Sequence, residues 1–218
     1  GLVDDFTFLP ANTLKDTKFC VTGPHSLVKR IRNEHYATEE EFALDVARVM
    51  NVELKELVRA GADRIQVAEP YYSGFPQDLE WGVKALNALV DGVDAKIVLH
   101  ICYGNRYVKP SWAGNYRYLF PTILDANVQQ LTLEFAWRGG EDLDLFKEFP
   151  NQFELGVGTI DVKSDTVETP DIVAERIRSA LKFVSPERVT VLPDCGCHNL
   201  AQPVALGKLR AMVEGAQI

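Results

Sequence analysis

The chain has 218 residues, 46% hydrophobic and 25% charged, with 23 basic against 31 acidic side chains for a net charge of −8. This composition belongs to a globular protein with a sizeable core and excludes a disordered tail, a collagen-like fibre or a disulfide-stapled mini-protein. The acidic balance argues against a nucleic-acid partner, which asks for a basic face. No apolar stretch approaches the roughly 18 to 20 residues of a membrane helix. The opening GLVDDFTFLP carries two aspartates and no basic region. Four cysteines in so apolar a chain are not needed as disulfides. The expectation is a reduced, cytoplasmic protein with no membrane or nucleic-acid partner.

Six short runs rich in β-branched and aromatic residues read as strands: 18–22 (KFCVT), 64–68 (RIQVA), 96–102 (KIVLHIC), 130–135 (QLTLEF), 153–160 (FELGVGTI) and 188–192 (RVTVL). Amphipathic stretches lie between them. Over 38–60, Thr38 with Glu41 forms a capping box, and Phe42, Val46, Val49, Met50, Leu54 and Leu57 share one helical face until Gly61 ends the helix. Thr169-Pro170 starts another helix as N-cap and N1, with Val173, Ile177, Leu181 and Val184 apolar. Strand–helix alternation repeated six times predicts an α/β fold with parallel strands and crossover helices, as one domain over 1–218.

Chemistry concentrates at strand ends. His100-Ile101-Cys102 places an imidazole and a thiol on the same side of a strand, because residues i and i+2 face alike. Nitrogen and sulfur ligands together suit zinc. Glu134 lies at the end of the next strand, where a carboxylate is costly unless paired or metal-bound. Cys195 ends the last strand in LPDCGCH. A lone histidine or cysteine in a strand is commonly a core residue; it is the conjunction of His100, Cys102, Glu134 and Cys195 that predicts one metal shell. Cys197 is an alternative ligand, a redox partner or idle. His198 and His35 read as solvent-facing, and His25, after Gly23-Pro24, as a residue of the site rim.

HICYGN at 100–105, LTLEFA at 131–136 and PDCG at 193–196 resemble the zinc site of the cobalamin-independent methionine synthase family. The similarity extends to TGP at 22–24, IQVAEP at 65–70 and GVGTIDVKSDTVETPDIVAERI at 156–177, in order along the chain. The resemblance implies a TIM-like (β/α)8 barrel with Zn2+ held by His100, Cys102, Glu134 and Cys195. It also implies a zinc-activated thiol as methyl acceptor, with homocysteine giving methionine, and Glu134 as the ligand that yields to the incoming sulfur. Three positions depart from the family. Ala68-Glu69-Pro70 stands where the family has Asp-Glu-Pro, leaving Glu69 alone to attract the substrate's ammonium. The family's acid histidine aligns with Lys163, which can hold a phosphate or a carboxylate or pair with Asp161; Lys163 and Asp161 are the candidate catalytic residues. The tryptophan that stacks on the folate aligns near Arg30; Trp112 and Trp137 follow strand ends, and each reads first as a packing residue.

The function expected is therefore zinc-dependent methyl transfer to a small-molecule thiol. The donor is a folate or a corrinoid. Alternatives are alkyl transfer to a different thiol, a non-catalytic zinc-binding barrel, or a decarboxylase-like barrel of the same superfamily. A (β/α)8 barrel has eight strands in about 250 residues, so six units predict a barrel whose N-terminal strands are missing or truncated, with GLVDDFTFLPANTLKD as their remnant. Open sheet edges promote association, and a homo-oligomer is the other way to cover the gap.

Overall fold

A computed structural model describes all residues except 149–152. The elements in chain order are α1 (Leu2–Ala11), β1 (Phe19–Thr22), α2 (Pro24–Val28), α3 (Glu39–Arg59), β2 (Arg64–Ala68), α4 (Leu79–Val90), β3 (Lys96–Ile101), β4 (Gln130–Leu133), β5 (Glu154–Ile160), α5 (Pro170–Ala180), β6 (Val189–Pro193) and α6 (Gln202–Gly215). All six sequence-predicted strands form. They follow chain order in one six-stranded sheet, with parallel ladders joining β1, β2 and β3, and joining β4, β5 and β6. The fold is the TIM-barrel-like α/β fold expected from the sequence. Parallel strands of this kind are covered on both faces, which is why β3 and β5 are almost wholly buried and read as continuous apolar runs.

The helices follow their start and stop signals. Thr38 Oγ1 accepts from Glu41 N at 3.1 Å, and Glu41 Oε2 accepts from Ala37 N, one residue earlier than a strict capping box. At the other end Gly61 N donates to Val58 O and Ala62 N to Leu57 O, the paired bonds of a Schellman stop. The face α3 buries is Ala43, Ala47, Leu54 and Leu57; of the expected stripe Leu54 and Leu57 are fully buried, and Phe42, Val46 and Met50 are half-buried. Val49 is 70% exposed. Thr169 caps α5 by accepting from Ile172 N, with Pro170 at the first turn, and Leu181 is exposed just past the helix end.

Two expectations are corrected. The alternation is not six regular repeats. Among the described residues, the connections after β3 and β4 carry only short 3-10 turns, Tyr116–Leu119, Thr122–Asp125 and Leu143–Glu148. Gly104, Pro110, Gly114 and Pro121 interrupt the first connection and Gly139-Gly140 the second, and such residues break a helix. The first residues are not a strand remnant but helix α1, whose Phe6 is buried edge-on against Phe19, ring centroids 6.0 Å apart.

Contacts within the chain cluster into two compact units, Gly1–His100 with Leu119–Gln129, and Ile101–Tyr118 with Gln130–Ile218. The first has a core that includes Leu54, Leu57, Ile65, Val67, Leu86 and Leu89. The second has Leu131, Leu133, Leu155, Val157 and Ile160 from its strands, with Val173 of α5 and Leu200 packed with Ile160 and Val162. A buried ion pair also ties the second unit together. Lys208 Nζ donates to Glu168 Oε2 at 2.9 Å, and Glu168 Oε1 accepts from Asp161 N at 2.8 Å. No helix among the described residues is long and apolar enough to cross a membrane.

Candidate metal centre

His100 is the penultimate residue of β3 and Cys102 follows the strand, so the alternation of a strand carries both side chains to one side. Cys195 follows β6. One ligand atom from each of His100, Cys102 and Cys195 lies within 4.8 Å of the others, and the two sulfurs are 3.7 Å apart. His100 is 5% exposed, and neither ring nitrogen has a hydrogen-bond partner. A buried imidazole without partners is costly, and a metal is the partner that would satisfy one of its nitrogens. The hydrogen bond with Cys195, followed by burial, pushes the Cys102 thiol well above its ordinary range. Two crowded sulfurs, one buried and one half-buried, resist becoming thiolates together unless a cation stands between them. The donor set, one nitrogen and two sulfurs, matches zinc preferences.

The loops that carry the sulfurs are fastened to each other. Asn105 Nδ2 donates to Gly196 O at 3.1 Å, and Asn199 Nδ2 donates to Asn105 O at 2.7 Å. The apolar cluster of Ile160, Val162, Val173 and Leu200 supports Cys195 from below.

Glu134 stands outside this trio. It is fully buried after β4, and both carboxylate oxygens are engaged. Oε1 accepts from Tyr103 N at 2.8 Å and from Trp137 Nε1 at 2.9 Å; Oε2 accepts from Lys163 Nζ at 2.5 Å. Burial pushes its carboxyl up, and the Lys163 charge opposes that. Tyr116 Oη bridges the ends of β3 and β4, donating to Ile101 O and accepting from Glu134 N, each at 3.1 Å. Lys163 therefore pairs with Glu134 and not with Asp161. The Asp161 carboxylate instead accepts from the backbone N of Lys163 at 2.8 Å, fixing the turn that presents the lysine.

Asp194, adjacent to Cys195, was not singled out from the sequence. Its Oδ1 accepts from Phe135 N and Ala136 N at 3.0 and 2.9 Å, and its Oδ2 from Trp137 N at 2.9 Å. This buried carboxylate thus holds the whole turn that follows Glu134. Burial pushes it up to about 7, with the Glu134 charge adding to the effect. It fits because residue 158 is glycine: a Cβ there would sit 2.1 Å from Asp194 Oδ1.

The remaining sequence-predicted residues are placed as follows. Cys197 is half-buried against the apolar cluster and is not one of the three grouped residues. His198, His35 and Arg30 are exposed. Trp112 is half-buried, and Trp137 serves Glu134 as described. His25 is not at a rim. It is fully buried in the first unit, ring centroids 4.7 Å from Trp81 and 5.0 Å from Tyr72, with Nε2 3.3 Å from Asp78 Oδ2. Burial lowers it to about 4. Glu69 is fully buried beside it, accepting from His25 N at 3.0 Å and Ser26 N at 2.8 Å, in space that a Cβ on residue 23 would fill.

Burial also pushes Glu69 up to about 7, against the opposing pull of its bonds to Ser26 and His25. A carboxyl raised in the folded state gives its full stabilisation below its ordinary value of 4.5 and loses it as the pH rises through about 7. Wild-type stability is therefore expected to fall relative to Glu69→Gln between about pH 5 and pH 8, by on the order of 3 kcal/mol. Denaturant midpoints at the two pH values measure this; parallel profiles would contradict it.

The family described as "Cobalamin-independent synthase, Catalytic domain" matches residues 3–218. The chain belongs to that family. Within it, the chain is 37% identical over its full length to a methionine synthase of Saccharolobus solfataricus, covering 63% of that protein. It is likewise 37% identical to one of Sulfurisphaera tokodaii, covering 61%. The chain thus spans under two thirds of the length of these relatives. Among solved structures, the B12-independent methionine synthase of Shewanella sp. W3-18-1, in complex with selenomethionine, superposes with a TM-score of 0.92 at 31% identity, covering all of this chain and 66% of that one. A vitamin-B12-independent methionine synthase described as putative, from Listeria monocytogenes, aligns with a TM-score of 0.72 over 99% of this chain and 68% of its own. At 19% identity it speaks to the fold alone.

Proposed function

We propose that the chain is a zinc-dependent methyltransferase that methylates the sulfur of homocysteine to give methionine. The observation that carries this is the His100, Cys102 and Cys195 group, with both His100 nitrogens unpartnered. Family membership and the selenomethionine complex of the Shewanella relative support the reaction and its product. His100, Cys102 and Cys195 would hold the metal. Bound there, zinc supplies the positive charge that lets a thiol lose its proton near neutral pH.

The other residues supply shape and a fixed electrostatic frame. The Asn105 and Asn199 amides keep the two cysteine loops at one spacing. Asp194 and Trp137 fix the Glu134 carboxylate, and Lys163 neutralises it. In the transfer itself the sulfur lone pair forms the new S–C bond. The bond between the donor and its methyl breaks, and those electrons stay on the donor; a folate nitrogen then takes up a proton in exchange for the one the thiol lost, whereas a corrinoid keeps the pair on its metal. Lys163 acts through Glu134, and Asp161 acts through the turn that carries Lys163. His25 and Glu69 act as framework for the first unit.

A second reading, a different acceptor thiol, is favoured by one observation. Ala68 provides no carboxylate, and both Glu69 oxygens are already taken by backbone donors. One assay separates the readings. Zinc-loaded chain is offered homocysteine or a simple alkyl thiol, each with methyl-folate or a methyl corrinoid. Methionine from homocysteine is the expected product. Methylation of the simple thiol alone would establish the second reading, and no methyl transfer in any combination would overturn both.

A further inference from the structure

We propose that the second unit holds a binding site for a small zwitterion, an α-amino acid with an apolar side chain, in a cavity between α5 and the turns that follow β4. None of His100, Cys102 and Cys195 lines this cavity. The site depends neither on a metal nor on the proposed reaction.

The sequence itself opens the cavity. Gly139-Gly140 disfavour a helix after β4, and the short turn Leu143–Glu148 stands where a regular strand–helix unit would place one. On α5, Ile172, Glu175, Arg176 and Ser179 are spaced i, i+3, i+4 and i+7, which is one stripe of a helix. All four line a cavity of about 220 Å³. Phe135, Leu143 and Val157 give it an apolar wall. The volume is below the roughly 300–1,000 Å³ of sites for drug-sized ligands. A folate or a corrinoid is therefore too large, and an amino acid is of the right order.

Charge decides the class of ligand. Arg176 Nη1 donates to Thr159 O at 2.7 Å and to Glu168 Oε1 at 3.2 Å, which anchors the guanidinium at one end. Its Nη2 and Nε bond to no described residue. Glu168 also holds Lys208, 2.9 Å away, so one carboxylate serves two cations and one positive charge is left over. Glu175, the next residue of the same stripe, is exposed and forms no ion pair among the described residues. A carboxylate on Arg176 and an ammonium on Glu175 balance both charges, and the planar fork of arginine suits a carboxylate. The apolar wall then takes the side chain. An inorganic anion would be repelled by Glu175 and would leave that wall wet, and a purely apolar molecule would leave both charges unused.

The test is calorimetric titration of the full chain with L-norleucine, whose side chain carries no sulfur. Saturable one-to-one binding is expected. N-acetyl-L-norleucine, which lacks the ammonium, and the corresponding amino alcohol, which lacks the carboxylate, should each bind about tenfold more weakly or worse. Glu175→Gln should weaken L-norleucine about tenfold and leave the N-acetyl compound unchanged. Ser179→Leu should fill the cavity and remove binding; if it does not fold, Glu175→Gln, at an exposed position, still decides. Cys102→Ser should bind L-norleucine like wild type. No saturable binding, equal binding of the N-acetyl compound, or wild-type affinity in Glu175→Gln would overturn the proposal. So would binding that Cys102→Ser abolishes, since the amino acid would then sit at the metal centre. Absence of methyl transfer would count against the proposed function and leave this binding as it is.

Discussion

Replacing Asp194 by alanine is expected to destabilise the metal-free chain by about 3–5 kcal/mol, a loss at the upper end for single substitutions. The carboxylate is fully buried and accepts from three consecutive backbone N–H groups, those of Phe135, Ala136 and Trp137. Alanine leaves all three without an acceptor in a place where Gly158 and Leu133 O leave little room for water. Each stranded buried donor costs about 1–3 kcal/mol. Asparagine is the informative comparison. Its single carbonyl serves Phe135 and Ala136, but its amide group then meets the Trp137 N–H donor to donor. An intermediate loss of about 1–3 kcal/mol is expected for it. Unfolding by urea, followed by far-ultraviolet circular dichroism, measures both variants. An alanine variant within about 1 kcal/mol of wild type would show that Asp194 is not the strut of this turn.

The same carboxylate shows what was legible in the sequence and what was not. A carboxyl group at the end of an apolar strand demands a partner, and that argument singled out Glu134 in LTLEFA. The same argument holds for Asp194 in LPDCG, whose partners prove to be the backbone N–H groups of Phe135, Ala136 and Trp137. The identity of the partners was out of reach. Lys163 is 29 residues from Glu134, and the turn that Asp194 holds is 57 to 59 residues from it. Only the parallel sheet brings such groups together, and no local spacing encodes it. The strands themselves were legible because each β-branched run is short and bounded. The His-x-Cys pair was legible because the period of a strand is fixed.

The errors have physical causes as well. On α3 the bulky Val49 looked like core, yet the buried line runs through Ala43 and Ala47. Hydrophobicity favours the larger residue, but a tightly packed helix face takes the smaller one. His25 looked like a rim residue because it follows Gly-Pro at a strand end. It turned inward because the backbone of α2 donates to the buried Glu69 and three aromatic rings close over the imidazole.

Cys102→Ser is expected to abolish zinc binding while leaving the fold intact. Serine is close in size to cysteine, so the buried position after β3 is refilled without a cavity. Its hydroxyl does not ionise near neutral pH and offers no thiolate, so the trio is reduced to one nitrogen and one sulfur. Affinity should fall by more than the ten- to hundredfold, roughly, that outer-shell changes cost. Cys197 will not substitute. It is half-buried against Ile160, Val162, Val173 and Leu200, and it is outside the group of three. Cys197→Ser is therefore the control, and its zinc content should match wild type. Thermal unfolding gives an independent reading. A ligand that binds only the folded state adds about 2.7 kcal/mol at a hundred times its dissociation constant. Zinc should accordingly raise the melting temperature of wild type and Cys197→Ser but not of Cys102→Ser. Zinc stabilisation that survives Cys102→Ser and disappears in Cys197→Ser would move the centre to the other sulfur of the Cys-Gly-Cys loop, and with it the reading of this chain as built around His100, Cys102 and Cys195.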